Sequence, residues 1–365
     1  MQRFAAILFA LLLATQVAWS QEAGFSWSLY NIKVNWSVVP TGPILKFGYG
    51  PWQVLPGLRT DLESKLGFGY ENFKVYRDDS TGNPLSVDAT LPKPTDKPDV
   101  QWELGFRQGL VPLEASRDLL SVWGSLHLRA EANLGTSVTS VFPDRNSAEM
   151  ASLAGGFLLD NTTKTDHKVR SGVQAIAESE WGPSFLSFQG TDFWRLKAEV
   201  TDFVPLFDLG GESNLLSAYL VLRANAKYIE GSQVPIFMLE PTDVRAYPLQ
   251  LDTKLRAYAT AELRVNLPSL VGKADLLPTL FLFSDNGYYK GYNDMSSPSV
   301  WKQGTTESSG PLASVGGGLS LDVLGLASVA VSAGIPVIDA DSLGLPISNN
   351  RAFWWTVELG LHVSV

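Results

Sequence analysis

The chain has 365 residues, with 28 Lys+Arg against 37 Asp+Glu for a formal net charge of −9, and no Cys. The acidic balance and the lack of a basic block argue against nucleic acid as a partner, and the missing thiol excludes disulfides, thiolate metal sites, a Cys nucleophile and an N-terminal lipidated Cys. Eleven Trp, eleven Tyr, eighteen Phe, 32 Gly and 21 Pro make the chain rich in aromatics and turn formers.

The N-terminus carries Arg3, an apolar run from Phe4 to Ala14 and a small-residue exit at Ala18-Trp19-Ser20. This pattern reads as a secretory signal peptide over residues 1–20, because its apolar core is well short of the ~20 residues of a membrane-spanning helix. Residues 21–365 read as one domain, since no linker, composition shift, internal repeat or low-complexity segment divides them. The first strand is expected near 28–38, so no periplasmic domain is expected ahead of it. The nearest approach to a transmembrane helix, 323–338, is too short and too rich in Gly, Ser and Pro.

The period of the chain is two. Val100, Trp102, Leu104 and Phe106 alternate with Gln101, Glu103 and Arg107, and Trp194, Leu196, Ala198 and Val200 with Arg195, Lys197, Glu199 and Thr201. Leu255, Ala257, Ala259, Ala261, Leu263 and Val265 alternate with Arg256, Tyr258, Thr260, Glu262 and Arg264, and the C-terminal Phe353–Val365 behaves alike. Such runs are strands with one apolar and one polar face. They exceed the ordinary ~5–6 residues and match the ~9–11 of transmembrane barrel strands, which turn apolar side chains to lipid and polar ones to the lumen. A soluble sandwich alternates too, usually in shorter strands.

Strands are expected near 28–38, 43–50, 64–77, 100–111, 118–133, 151–160, 169–181, 191–206, 215–230, 254–267, 277–288, 310–322, 325–336 and 352–364. The pattern thus predicts an all-β, transmembrane antiparallel β-barrel of about 14 to 16 strands, the larger count if another hairpin lies before residue 100 or around 134–160. The long links 231–253, 289–309 and 337–351 alternate with the shorter 207–214, 268–276 and 323–324. Long loops are therefore expected outside the cell, and an even strand count would leave both termini in the periplasm.

The long link "GSQVPIFMLEPTDVRAYP" holds Gly231, Val234-Pro235-Ile236-Phe237 and Val244-Arg245-Ala246-Tyr247. A strand ending in Glu262-Leu263-Arg264-x-x-Leu267-Pro268 follows, then Phe283-x-Asp285-x-Gly287, then Gly316-x-Gly318-Leu319-x-x-Asp322. In order and spacing these resemble the bacterial surface antigen superfamily, the outer-membrane barrels of the BamA and TamA type and of two-partner secretion. Ala246 stands where that family has Gly. The resemblance implies that the loop folds into the lumen and that Arg245 latches onto a lumen-facing Asp285. It also implies a bacterial outer-membrane location and work in assembly or translocation, with unfolded outer-membrane or exported proteins as partners beside membrane lipid. Alternation alone does not give Asp285 its face, since it shares parity with Phe281 and Phe283.

No catalytic constellation is legible, and no cofactor or metal is expected. His127, His167 and His362 lie in no His-Glu-x-x-His or Gly-x-Ser-x-Gly context; His127 and His362 fall on polar strand faces, and the glycines of 316–318 precede no phosphate-binding helix. The alternative to the assembly role is a passive diffusion pore, whose strands carry the same alternation. The 231–253 loop distinguishes them: a pore needs an open lumen, whereas the family resemblance implies an obstructed one.

Overall fold

The computed structural model of the chain describes residues 23–29, 32–39, 42–53, 60–75, 93–114, 117–132, 147–165, 168–187, 191–209, 216–234, 244–246, 253–270, 276–291, 309–323, 327–338 and 354–364. The expected signal segment 1–20, residues 235–243 and Tyr247 lie outside them. The described chain is all-β. Its strands are β1 (Ala23–Leu29), β2 (Ile32–Val39), β3 (Gly42–Gln53), β4 (Thr60–Val75), β5 (Lys93–Glu114) and β6 (Arg117–Ala132). Then come β7 (Ser147–Asp160), the short β8 (Thr163–Thr165), β9 (Lys168–Gly182), β10 (Asp192–Leu209) and β11 (Leu216–Gln233). The last five are β12 (Thr253–Asn266), β13 (Leu276–Gly291), β14 (Ser309–Val323), β15 (Ala327–Pro336) and β16 (Trp354–Ser364). A 3₁₀ turn, Ser184–Leu186, follows β9. No helix among the described residues is long and apolar enough to cross a membrane.

Sequential strands pair antiparallel into one sheet, with β7 pairing β9 and β9 pairing β10. Neighbours in sequence being neighbours in space is the meander arrangement that short links favour. Registers run for long stretches: β12 and β13 pair from Thr253 opposite Gly291 to Asn266 opposite Thr279, with one shift near the start.

One expectation is corrected. Ala23–Leu29 forms a strand of its own, antiparallel to β2 and parallel to β16. Parallel first and last strands imply an odd number of crossings between them, so the start of β1 and the end of β16 lie at opposite ends of the sheet. The even count with both termini on one side does not hold here. The physical reason is an overlooked alternation, Phe25, Trp27 and Leu29 against Gly24, Ser26 and Ser28, with only two residues before β2.

The two faces of the sheet invert the usual distribution of side chains. Leu282 is 64% and Phe157 55% exposed, with Leu196, Val200, Leu222, Leu280 and Leu319 also open. Buried on the other face are Glu180, Lys227, Arg256, Glu262 and Asp285. In water an apolar face of this extent would be an association surface, and buried charges are tolerated only when paired. Hydrocarbon outside and a polar interior would remove the first difficulty, and the inner face meets the second by cross-strand pairs. Arg195 meets Glu178 at 2.5 Å and Glu180 at 2.6 Å, while Ser152 Oγ donates to Glu180 Oε1. His127 belongs to this group through Glu180 Oε1 at 3.4 Å and Ser125 Oγ at 2.8 Å.

Candidate functional site: Arg245 on the inner face

The site is assembled by register. Thr260 stands opposite Asp285 and Glu262 opposite Phe283 across β12 and β13, so all four share the inner face. Phe283 in turn faces Gly316 on β14, which faces Gly334 on β15. Onto this surface the segment Val244–Ala246 descends, with Val244 and Ala246 buried.

Arg245 makes the contacts. Its Nε donates to Asp285 Oδ2 at 2.7 Å and its Nη2 to Asp285 Oδ1 at 2.8 Å, a two-pronged pair, and its backbone N–H adds a third bond to Oδ2 at 3.2 Å. Nη1 donates to Glu262 Oε2 at 2.9 Å. Thr260 Oγ1 donates to Asp285 Oδ1 at 2.9 Å, and Arg264 Nε to Glu262 Oε1 at 2.5 Å. Two cations thus meet two carboxylates, which leaves the cluster neutral where Asp285 is only 1% exposed. Forked charge-assisted bonds of this kind suit Arg and not Lys. Burial disfavours the Arg245 charge, yet the bonds and charges of Asp285 and Glu262 outweigh it and hold the guanidinium above its ordinary range.

Aromatic and glycine residues complete the seat. The Arg245 Cζ lies 3.5 Å from the centroid of the Phe283 ring, close enough for a cation–π attraction. The tip of that ring lies over glycine: a β-carbon at Gly316 would come within 2.5 Å of Phe283 Cζ, and one at Gly334 within 3.0 Å. Gly318 makes the same room for Phe281. Gly287 receives the loop itself, since a β-carbon there would stand 2.6 Å from Val244 Cγ2. Ala246 turns the chain with φ of 71°, the left-handed region that Gly occupies without strain and Ala does not.

Of the residues singled out in the sequence, Val244, Arg245, Ala246, Phe283, Asp285 and Gly287 come together, and Tyr247 lies outside the described residues. Asp285 shares a face with Thr260, Glu262 and Phe283 by register, and the glycines opposite Phe281 and Phe283 make room for their rings on that polar wall. Sequence reasoning missed Glu262 as a second acceptor for Arg245; its signal is the two-residue offset that places Glu262 opposite Phe283. The glycines of 316–318, legible only as not a phosphate site, act as a floor for aromatic rings.

No family model matches the sequence, and no curated protein matches it. Solved structures do match. CdiB from Escherichia coli superposes with a TM-score of 0.56 at 15% identity, over 89% of this chain and 55% of that one. CdiB from Acinetobacter baumannii gives 0.54 at 12% identity, over 89% and 52%. BamA from Haemophilus ducreyi, in a form lacking POTRA domains 1–3, gives 0.52 at 11% identity, over 89% and 64%. The chain thus spans about half to two-thirds of the length of these structures. With an all-β sheet, polar inside and apolar outside, the chain has the fold of the BamA and CdiB barrels.

Proposed function

We propose that this chain, after removal of a signal peptide over residues 1–20, is a bacterial outer-membrane β-barrel of the surface antigen type. In this reading the strands close into a barrel and the 231–253 loop is latched within its lumen. The barrel serves assembly or translocation of unfolded outer-membrane or exported proteins. The observation that carries the reading is the Arg245 cluster, in which one loop cation takes up two buried carboxylates on adjacent strands. The polar inner and apolar outer faces support the membrane setting, and the likeness to BamA and CdiB supports the class.

The loop opposes the rival reading of a passive pore. A pore needs an open lumen with a charged constriction, whereas a loop latched across the lumen would obstruct it. Two measurements test the proposal. Purified protein in a planar bilayer should give small, erratic openings rather than large, steady, ohmic conductance. Liposomes carrying it should fold a denatured outer-membrane barrel faster than empty liposomes. Steady pore conductance without any effect on folding would defeat the assembly reading.

A further inference from the structure

Among the described side chains, every outward Trp and Tyr but one falls on a single slanted line. The line holds Tyr70 on β4, Trp181 on β9, Trp194 on β10, Tyr228 on β11 and Tyr288 on β13. The ladder row through Trp181 reaches Trp194 and Glu230 on one side and Ser64 of β4 on the other. Tyr70 stands six residues beyond Ser64 toward the long links, Tyr228 two short of Glu230, and Tyr288 two short of Lys290, which shares the row of Tyr228. The line therefore drops ten residues over the eight strand spacings from β4 to β13, ~33 Å against ~38 Å. Rows run square to the strands, so the slant of about 40° matches the ~35–45° by which barrel strands lean in a membrane. Strands that lean in this way bring all five residues to one level. The exception, Trp102, lies below the line with its ring N–H bonded to Ser64 Oγ at 3.0 Å.

We propose that this line is the contact surface for the head-group boundary of the lipid leaflet at the long-link end, with Phe185 inserted into that boundary as an anchor. The proposal rests on the membrane reading above. Outward chemistry changes across the line. Below it Leu222 and Leu282 are exposed, whereas at and above it Tyr228 Oη donates to Glu230, which Lys254 Nζ also meets at 2.8 Å, and Lys290 is exposed. Trp and Tyr suit such a boundary because an apolar ring carries a polar tip, and Lys can lay its stem on apolar surface while its ammonium reaches the head groups. The turn after β9 stands at the same level. Phe185, 75% exposed, lies edge-on to Trp181 with ring centroids 5.9 Å apart, and Ser187 Oγ donates to the Glu149 carbonyl of β7 at 3.1 Å, which ties the turn to the sheet. A protein partner would need a patch on neighbouring strands. A line that keeps one level across nine strands follows a plane.

The chain has no Cys, so a single Cys in place of Tyr70, Trp181, Phe185, Tyr228 or Tyr288 can carry a nitroxide label. In phosphatidylcholine–phosphatidylglycerol vesicles holding the purified protein, power saturation by oxygen against a water-soluble nickel chelate reads the depth of each label. The five labels should share one depth to within about one ladder step, ~7 Å. Labels at Leu222 and Leu282, six residues further along their strands, should lie ~15 Å deeper. Were the rows themselves level, labels at 70 and 288 would differ by ~33 Å. A spread of depths that follows the rows, with the two Leu labels still rich in oxygen, overturns the line and leaves the membrane reading standing. Chelate access at all seven positions overturns both. A label at 185 in bulk water, with the others at the boundary, overturns the anchor. Should Trp181→Cys fail to fold, Trp194→Cys on the same row reads the same level.

Discussion

Replacing Arg245 by Ala removes the guanidinium from a carboxylate that has no other cation in hydrogen-bonding contact among the described residues. Asp285 holds four bonds, two of them from that guanidinium and the others from the Arg245 backbone N–H and Thr260. A bond to a charged group contributes about 1.5–3 kcal/mol net, and breaking a buried pair from one side costs ~3–5 kcal/mol. With Asp285 at 1% exposure the upper description applies. The reverse change is milder, because Asp285→Ala leaves Arg245 bonded to Glu262 and a quarter exposed, and about 2–3 kcal/mol is expected. The double substitution should cost no more than Arg245→Ala alone, so the two sites should couple by at least about 2 kcal/mol. Limited proteolysis of the 231–253 loop in the folded, lipid-reconstituted protein reads this where cutting tracks the open population. A cost of 3 kcal/mol corresponds to roughly a hundredfold faster cutting. Effects that add within about 0.5 kcal/mol would show that the pair does not hold the loop.

Three further outcomes follow from the same geometry. Ala246→Gly should slow loop cutting, since relief of about 1–2 kcal/mol of left-handed strain outweighs the ~0.5–1 kcal/mol entropy cost of Gly, and Ala246→Val should accelerate it. Gly287→Ala should cost about 1–3 kcal/mol through its clash with Val244, and adding Val244→Ala should restore most of the loss; a double variant as impaired as the single would refute the packing. Leu282→Arg on the outer face should cost ~2–4 kcal/mol in urea unfolding from lipid, whereas Glu199→Arg on the inner face should cost under about 1 kcal/mol, and equal tolerance would contradict the facing of the sheet.

The alternation of single strands exposed the all-β class because lipid and interior impose opposite chemistry on successive residues. Leu255–Val265 shows this in both sequence and structure, with Glu262 and Arg256 buried and Ala259 and Ala261 exposed. The pattern was weaker where the inner face is not polar. Phe281 and Phe283 share parity with Asp285, and only pairing with Gly316 and Gly318 on the next strand explains why rings lie on that side. Such cross-strand complementarity is a property of register, which no single strand displays. Glu262 illustrates the same limit: a substitution there reads as harmless from alternation alone, yet the carboxylate is bound by Arg245 and Arg264. The early chain failed differently, because Ala23–Leu29 is too short for its alternation to stand out.

The central claim is that the loop rests on the inner face at Val244 and Gly287, and a disulfide trap tests it directly. Val244 Cγ2 lies 2.6 Å from where a Gly287 β-carbon would stand, which brings the two β-carbons near the ~3.5–4.5 Å that a disulfide needs. Val244→Cys with Gly287→Cys, in a chain otherwise free of thiols, should oxidise spontaneously in the folded, lipid-embedded protein and leave no thiol for a water-soluble maleimide. Two free thiols that label fully under the same conditions would place the loop away from the inner wall and contradict the account.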